Sequence, residues 1–282
     1  TEFITALMNS QPMGFYPMET LKQDARRFGV PFLNPCVNRS EEKCVSQGEA
    51  VLLGLRFVKD VGESGAETLV RERWRGGAYI SAGDLVRRTG LKPRAVESLV
   101  MSGAFDAVTP NRRQVLWEVG LHPRPDRNGQ AVLSASMDAS VPPLADFTDA
   151  EKMAAEYAVL GIYPRGHLME FVRPTLEAGV MTCAEVERLD DGAPVLVAGW
   201  PVARQHPKGR DGTIFVTIED ETGDAQVILW PHIYKQYRRE LSSQVVLITG
   251  EISRWDGTSN TIVSEVRSLR SGVRMPEAHN WR

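Results

Sequence analysis

The sequence has few cysteines, no long apolar run and no overall positive charge. Its 3 cysteines are an odd number without the spacing of a zinc site, so we expect reduced thiols in a cytoplasmic protein. No apolar stretch approaches membrane-spanning length, and the first residues lack the basic and apolar regions of a secretory signal. A net charge of -3 excludes a uniformly basic nucleic-acid-binding protein.

The positive charge that is present is concentrated in one segment. From Gly54 to Arg113 there are 11 Lys and Arg against 7 Asp and Glu, a difference of +4 in an otherwise acidic chain. A local excess of this kind is typical of a surface that contacts phosphate.

This basic segment contains two candidate helix-hairpin-helix motifs. In the first, a helix from Val51 to Lys59 precedes a glycine-containing turn; in the second, a helix over Asp84–Arg88 precedes Gly90, and Pro93 begins the next helix. Glycine lets the turn approach a phosphate, and the following helix offers free N–H groups. The predicted duplex-binding residues are Lys59, Gly62, Gly65, Gly90, Lys92 and Arg94. A plain helical bundle remains the alternative.

Residues 195 to 270 predict a five-stranded oligonucleotide-binding (OB) barrel. Short runs rich in β-branched and apolar residues are separated by turn residues, and a helix over His232–Leu241 lies between the third and fourth strands. The predicted strands are Val195–Trp200, Thr213–Ile218, Ala225–Trp230, Val245–Ile252 and Thr261–Val266. A small β-sandwich or a protein-binding barrel is the alternative.

Two connections of this barrel carry cations beside rings that can stack on bases, which points to single-stranded nucleic acid. The candidate residues are Arg204, His206, Lys208 and Arg210 in the first connection, and Arg254 and Trp255 in the second. Trp255 precedes an Asp-Gly turn, so we expect its ring to be at least partly exposed. The alternative is that this ring caps the open end of the barrel.

Three other segments have simpler interpretations. The stretch from His122 to Leu144 is rich in Pro, Gly, Ser and Ala and predicts a flexible linker. A capping box at Thr148–Glu151 predicts a helix that carries Met153, Tyr157 and Leu160 toward the barrel. The acidic run Glu219–Asp224 is typical of a hairpin turn rather than of a metal site.

Several motifs together resemble the C-terminal third of bacterial C-family DNA polymerases, in the error-prone, damage-induced branch of the polymerase III alpha subunit. They occur in collinear order along nearly the whole chain. They are Asn9–Tyr16, Asp24–Arg27, Asn34–Ser40, Gly54–Lys59, Ser102–Asp106, Gly161–His167 and Phe215–Gly223.

The resemblance implies a multidomain α+β piece of a polymerase that acts in translesion synthesis and DNA repair. Residues 1-50 would end the fingers domain, 51-107 form a tandem helix-hairpin-helix, 108-190 a linker and helical connector, 191-272 the OB-fold, and 273-282 a tail. The expected partners are primer-template duplex, single-stranded template and accessory proteins of a mutagenic complex. The family's palm carboxylates, which hold magnesium for nucleotidyl transfer, lie upstream. We therefore expect no cofactor in this fragment and no polymerase activity from it alone.

Two departures from the family limit what the resemblance implies. Asp60 stands where relatives usually have the first hairpin glycine, and the tail Ala278–Arg282 only approximates the expected ending. At Gln130–Ser134, serine replaces the aromatic anchor of a sliding-clamp peptide, so we expect any clamp contact to be indirect.

A protein-interaction module that docks accessory factors is the alternative function.

Overall fold

The computed structural model describes residues 1–12, 18–121, 143–206, 212–255, 257–269 and 279–281. The chain divides into two compact units, Thr1–Arg165 and Gly166–Arg282. Lys208, Arg210, the Gln130–Ser134 motif, nearly all of the predicted linker and most of the tail lie outside the described residues.

The first unit is mainly helical and has its own apolar core. Its helices are α1 (Glu2–Asn9), α2 (Met18–Arg27), α3 (Gly62–Gly76), α4 (Ala82–Thr89), α5 (Pro93–Met101), α6 (Arg112–Leu121) and α7 (Asp149–Leu160). A small sheet contains β1 (Phe32–Leu33), β2 (Val45–Gln47) and β3 (Ala50–Leu52), with β3 in the centre.

The small sheet corrects one expectation from the sequence. Residues 51–59 are not a continuous helix, because Val51 and Leu52 belong to β3 and pair with Phe32 and Leu33 of β1. Instead, β3 is followed by a single 3-10 turn, Leu55–Phe57. A side chain at Gly54 would lie 2.3 Å from the backbone carbon of Lys43, so glycine is required by this close approach of two backbone segments.

The helix ends follow the local signals. Ser81 caps α4 by accepting from the amide of Asp84, and Gly90 ends that helix in the left-handed conformation. Thr148 and Glu151 form the predicted capping box of α7. Within the first unit, the Tyr157 hydroxyl of α7 donates to Glu19, and Leu160 joins the first core.

The second unit is a barrel with short helices around it. The strands are β4 (Pro194–Gln205), β5 (Ile214–Glu219), β6 (Asp224–Leu229), β7 (Val245–Trp255), β8 (Thr258–Leu269) and β9 (His279–Trp281). The helices are α8 (Met169–Val172), α9 (Cys183–Glu187) and α10 (Pro231–Tyr237).

The pairing closes the barrel. β4 pairs antiparallel with both β5 and β7, β5 pairs with β6, β6 runs parallel to β8, and β8 pairs with β7. This ring of five strands, with α10 between the third and fourth, is an OB-fold, and β9 adds in parallel beside β4. A bulge at Thr249/Gly250 bends β7, and a side chain at Gly250 would lie 2.3 Å from the carbonyl oxygen of Ile262.

Candidate nucleic-acid interface

At Asp60, the first hairpin turn has a backbone conformation that glycine would favour. Asp60 has a φ of 63°, and Gly62 has the same value. Left-handed backbone is unfavourable for most L-residues, although Asp tolerates it better than β-branched residues. The turn therefore keeps its hairpin geometry but presents a carboxylate at a position that glycine would fill without a side chain.

The two hairpin turns lie side by side. The Ser98 hydroxyl donates to the Asp60 carboxylate at 3.4 Å. Gly65 is buried, and a side chain there would lie 3.2 Å from Val61 and 3.4 Å from Leu91. Gly65 therefore allows the hairpins to pack together, and the expectation that it approaches a phosphate is wrong.

Most cations of the basic segment are held by other groups. Arg73 donates to two backbone carbonyls and to Glu41, Arg88 pairs with Asp84, and Arg112 is fully buried between Asp106 and Glu156. Those that pair with a carboxylate are Arg56, Arg71, Arg73, Arg75, Arg87, Arg88, Arg112 and Arg113. The charge excess of the segment therefore overstates the positive charge that is available to bind phosphate.

Three cations of the segment remain available. Lys59, Lys92 and Arg94 are exposed, and no ion pair joins any of them to another described residue. Lys59 precedes the first turn, whereas Lys92 and Arg94 flank the start of α5. The available positive charge is thus located at the hairpin turns.

The two turns differ in their electrostatic surroundings. Beside the first, the carboxylates of Glu42, Glu63 and Glu67 lie within 4.8 Å of one another. The cluster leaves no local signal in the sequence, because Glu42 is distant along the chain and only the fold brings it close. At the second turn, Gly90 is exposed with a φ of 62°, and no side chain caps the first turn of α5. Among the described residues, the second turn thus has no acidic cluster like that of the first, and the helix dipole at the start of α5 makes it the better candidate for an anion contact.

At the barrel, Arg204 does not have the predicted surface position. Its side chain is 8% exposed and donates to the carbonyl oxygen of Leu241. Burial lowers the pKa of its guanidinium. Arg204 therefore anchors the segment after α10 and is not placed to follow a strand of nucleic acid. His206, which is exposed, packs edge-on against Tyr234, with ring centroids 5.5 Å apart.

The tip of the β7–β8 hairpin presents an exposed ring, and hydrogen bonds of the neighbouring residue hold the hairpin in place. Trp255 is 81% exposed. Next to it, Arg254 donates to the carbonyl oxygens of Leu189 and Glu187, and its amide donates to Asp191 at 2.8 Å. Arg254 thus holds the hairpin against the loop that follows α9. The ring beside it is free to accept a stacking partner.

The acidic turn after β5 has a structural role for Asp220. This carboxylate pairs with Arg173 at 2.7 Å and accepts from the amides of Cys183, Thr222 and Gly223. These contacts tie the turn to the start of α9. The prediction of a hairpin turn at this position is confirmed.

Comparison with known proteins identifies both regions. The helix-hairpin-helix motif family matches residues 29–115, and the OB-fold nucleic acid binding domain family matches residues 195–269. The chain therefore carries a helix-hairpin-helix region followed by an OB-fold, as predicted from the sequence.

Relatives along nearly the whole chain are error-prone DNA polymerases. The error-prone DNA polymerase of Symbiobacterium thermophilum is 35% identical over 95% of this chain and 30% of its own length. That of Mycobacterium tuberculosis strain H37Rv is 35% identical over 96% of this chain and 25% of its own length. Error-prone DNA polymerase 2 of Rhizobium meliloti is 33% identical over 96% of this chain and 26% of its own length.

This chain is thus similar over nearly its whole length to a part of these error-prone DNA polymerases, and it spans between 25% and 30% of the length of the three relatives. Within the described residues, no helix is both long enough and apolar enough to span a membrane. All three cysteines are free and buried, as expected for reduced thiols.

Proposed function

We propose that this chain is the DNA-binding C-terminal region of an error-prone DNA polymerase that acts in translesion synthesis and DNA repair. The similarity to relatives with that name, together with the two nucleic-acid-binding modules, supports the proposal. In this proposal the helix-hairpin-helix region grips the primer-template duplex, and the barrel handles the single-stranded template.

The observation that carries the duplex role is the position of the available cations. Lys92 and Arg94 are exposed and flank the start of α5, where the helix dipole also favours an anion. A duplex phosphate at this turn would receive both kinds of interaction. Such contacts hold the duplex in position without reading its sequence, which suits a polymerase that must act on any template.

The barrel would follow the single strand through the β7–β8 hairpin. The ring of Trp255 offers a face on which a base can stack, and Lys208 and Arg210, which lie outside the described residues, would supply charge. Arg254 would position this hairpin through its backbone contacts. Arg204 has no part in this proposal because it is buried.

The catalytic step belongs to the rest of the parent polymerase in this proposal. A polymerase palm uses carboxylates that hold two metal ions for nucleotidyl transfer. The nearly complete alignment of this chain to only 25–30% of its relatives is compatible with the palm lying elsewhere in the parent. We therefore expect the isolated chain to bind DNA without extending a primer.

A protein-docking role is the second candidate, and exposed apolar side chains favour it. Trp74 and Ile80 are each 78% exposed, and Phe28 is 86% exposed. Large exposed apolar groups are enriched at protein interfaces. In this case the partner would be an accessory factor of a mutagenic polymerase complex.

Salt dependence separates the two candidates. The affinity of the chain for single-stranded, duplex and primer-template DNA should be measured at two or more salt concentrations. For phosphate contacts, log Kd should change linearly with log salt, with a slope of about 0.9 for each phosphate neutralised on duplex DNA. An absence of DNA binding, or binding without salt dependence, would favour the docking role.

Reversal of two charges tests the duplex contact directly. We expect Lys92→Glu with Arg94→Glu to weaken duplex binding by about tenfold or more at low salt, equally for different sequences. The matched control is Arg71→Glu with Arg75→Glu, which makes the same charge change on α3, where both arginines pair with Glu72. Equal losses in the two variants would mean that only net charge matters, and that the second hairpin is not the contact.

A further inference from the structure

The helix between the third and fourth barrel strands, α10, has an exposed side that carries only positive charge. Its other side packs against the core of the barrel through three half-buried side chains, Ile233, Tyr234 and Tyr237. Lys235 is exposed, as are Arg238 and Arg239, which continue the helical backbone beyond the end of α10. These three cations form the basic face of α10. Residues 231–239 contain no carboxylate, and the Glu240 that follows is half-buried.

The basic face of α10 lies in a unit that is acidic as a whole. Residues 166–282 contain 16 Asp and Glu against 13 Lys and Arg. Most cations described in this unit are engaged by carboxylates or by backbone carbonyls, namely Arg173, Arg204, Arg254 and Arg267. In contrast, no ion pair joins Lys235, Arg238 or Arg239 to another described residue. Three like charges spaced i, i+3 and i+4 on a helix repel one another, and a bound polyanion would offset this repulsion.

An exposed ring stands immediately before the same helix. Trp230 precedes the first residue of α10 and is 46% exposed. Val227 and Leu229 of β6 are buried in the barrel core, and side chains alternate along a strand, so Gln226, Ile228 and Trp230 face outward. Cations beside a ring that can stack on a base are typical of surfaces that bind single-stranded nucleic acid.

The outward face of β6 connects Trp230 with Trp255. Gln226 lies beside Asn260 of β8 in the parallel register. Trp255 lies opposite Thr258, which is on the same face of β8 as Asn260. Trp255 is therefore level with the start of β6, and Trp230 follows the end of that strand. Because β6 contains 6 residues, the two rings are about 20 Å apart along the strand direction at about 3.3 Å per residue.

The same helix lies against both ends of the connection between β4 and β5. His206, the last described residue before the connection, packs on Tyr234 with ring centroids 5.5 Å apart. Gly212, the first described residue after it, lies against Pro231, and a side chain there would be 3.3 Å from the proline ring. The helix α10 therefore adjoins the connection whose cations the proposed function assigns to the single strand.

We propose that the basic face of α10 and the ring of Trp230 form a second contact for the single strand. This contact binds the phosphate backbone at a distance from Trp255 of about six nucleotides, if they are stacked at about 3.4 Å each. A strand held at both places crosses the outward face of β6. The inference rests on the proposed function of the barrel and adds the path of the strand and the length that one barrel covers.

The test is the salt dependence of binding of the whole chain to a single strand of about twelve dT nucleotides. In the triple variant Lys235→Gln, Arg238→Gln, Arg239→Gln, we expect the affinity at low salt to fall by about tenfold or more. The slope of log Kd against log salt should fall by about 0.7 for each phosphate contact that is lost.

The ring and the length of the strand give two further measurements. Trp230→Ala should weaken binding by about fivefold or more without a change in the salt slope, and Trp230→Phe, which keeps a ring, should restore most of the affinity. A strand of about four dT nucleotides is too short to reach from Trp255 to α10 at about 3.4 Å per nucleotide. Its affinity should therefore change less in the triple variant than that of the longer strand.

The matched control is Arg71→Gln, Arg75→Gln, Arg87→Gln. It removes three exposed cations from the first unit, where each of them pairs with a carboxylate. Affinity and salt slope for the single strand should stay close to those of the parent. Equal losses in the two triple variants would mean that only net charge matters, and the inference would be wrong.

The remaining outcomes separate this inference from the proposed function. If the α10 variant keeps the parent affinity and slope while Trp255→Ala weakens binding, the barrel binds the strand but α10 does not contact it. A lower melting temperature together with an unchanged slope would assign the three cations to the stability of the helix. Loss of duplex binding with unchanged single-strand binding would place a duplex on α10 and also overturn the inference. If the parent chain binds no single strand, the proposed function of the barrel fails, and this inference fails with it.

Discussion

At the scale of single residues, Asp60 combines an unfavourable backbone conformation with an unfavourable charge for DNA contact. Its φ of 63° suits glycine or asparagine better than aspartate, and its carboxylate stands beside the acidic cluster of the first hairpin. Asp60→Asn keeps the side-chain shape and removes the charge. We expect duplex affinity to rise by up to about fivefold, as for a surface interaction of about 0.2–1 kcal/mol.

The control for this change is Glu265→Gln, which removes an exposed carboxylate from β8 of the barrel. Duplex affinity of this control should stay at the parent value in a binding titration at low salt. If Asp60→Asn also binds as the parent does, the first hairpin does not face the duplex, and the DNA contact is confined to the second.

Arg112 illustrates a cation whose importance is structural. It is fully buried and pairs with Asp106 at 2.7 Å and with Glu156 at 2.6 Å. Arg112→Met would remove a positive charge that balances the buried carboxylate of Glu156. We expect a loss of about 3–5 kcal/mol in the free energy of unfolding, measured by urea denaturation. Arg113→Met, at a half-buried position, should change stability by less than about 1 kcal/mol; similar losses in both variants would contradict the structural role.

These residues show why the charge count of the sequence was only a partial guide. The excess of positive charge coincides with the hairpin region, where Lys59, Lys92 and Arg94 lie without ion pairs to described residues. It could not show that Arg112 and Arg204 are buried, because their partners, Glu156 and Leu241, are 44 and 37 residues away. Whether a cation is available depends on tertiary contacts that no local pattern contains.

At the scale of elements, the regular parts of the fold were predictable and the irregular parts were not. The five barrel strands, the intervening helix and the capping box of α7 follow local patterns, and all were found close to their expected positions. The short sheet of β1, β2 and β3 was missed because its strands contain 2 or 3 residues. Such strands are too short to show alternation and depend on pairing with distant segments.

The β7–β8 hairpin is the element whose role can be tested most directly. Trp255→Ala should weaken single-strand binding by about 1–3 kcal/mol, which is about a fivefold to hundredfold loss. Because the ring is 81% exposed, the melting temperature should remain close to that of the parent. A fall in melting temperature without loss of affinity would instead mean that the ring is a packing residue of the barrel.

The matched control for this hairpin is Trp74→Ala. Trp74 is 78% exposed on α3, so the change removes the same ring at similar exposure outside the barrel. Single-strand affinity should be unaffected in this control. A loss in Trp74→Ala of the same size as in Trp255→Ala would indicate nonspecific stacking on any exposed tryptophan.

At the scale of the whole molecule, the chain divides between residues 165 and 166, whereas the sequence analysis placed the start of the barrel domain at residue 191. The difference arises from the segment around α9. Cys183 and Val186 belong to the core of the barrel, and the amide of Met181 donates to Leu196 of β4 at 2.7 Å. These contacts involve residues far apart in sequence, so composition and linker signals did not reveal them.

This difference in boundary leads to a prediction for fragments of the chain. We expect residues 166–282 to fold as a stable unit, and residues 191–282 to be less stable by at least about 3 kcal/mol. The shorter fragment lacks Arg173, and the Asp220 carboxylate with which it pairs has 0% side-chain exposure. It also lacks the apolar contacts of α9. Urea unfolding followed by circular dichroism gives the free energy of unfolding of both fragments. The Arg173→Met variant of the longer fragment shows how much of the difference comes from the ion pair and how much from the packing of α9. Equal stability of the two fragments would place the boundary at residue 191 and make α9 dispensable for the barrel.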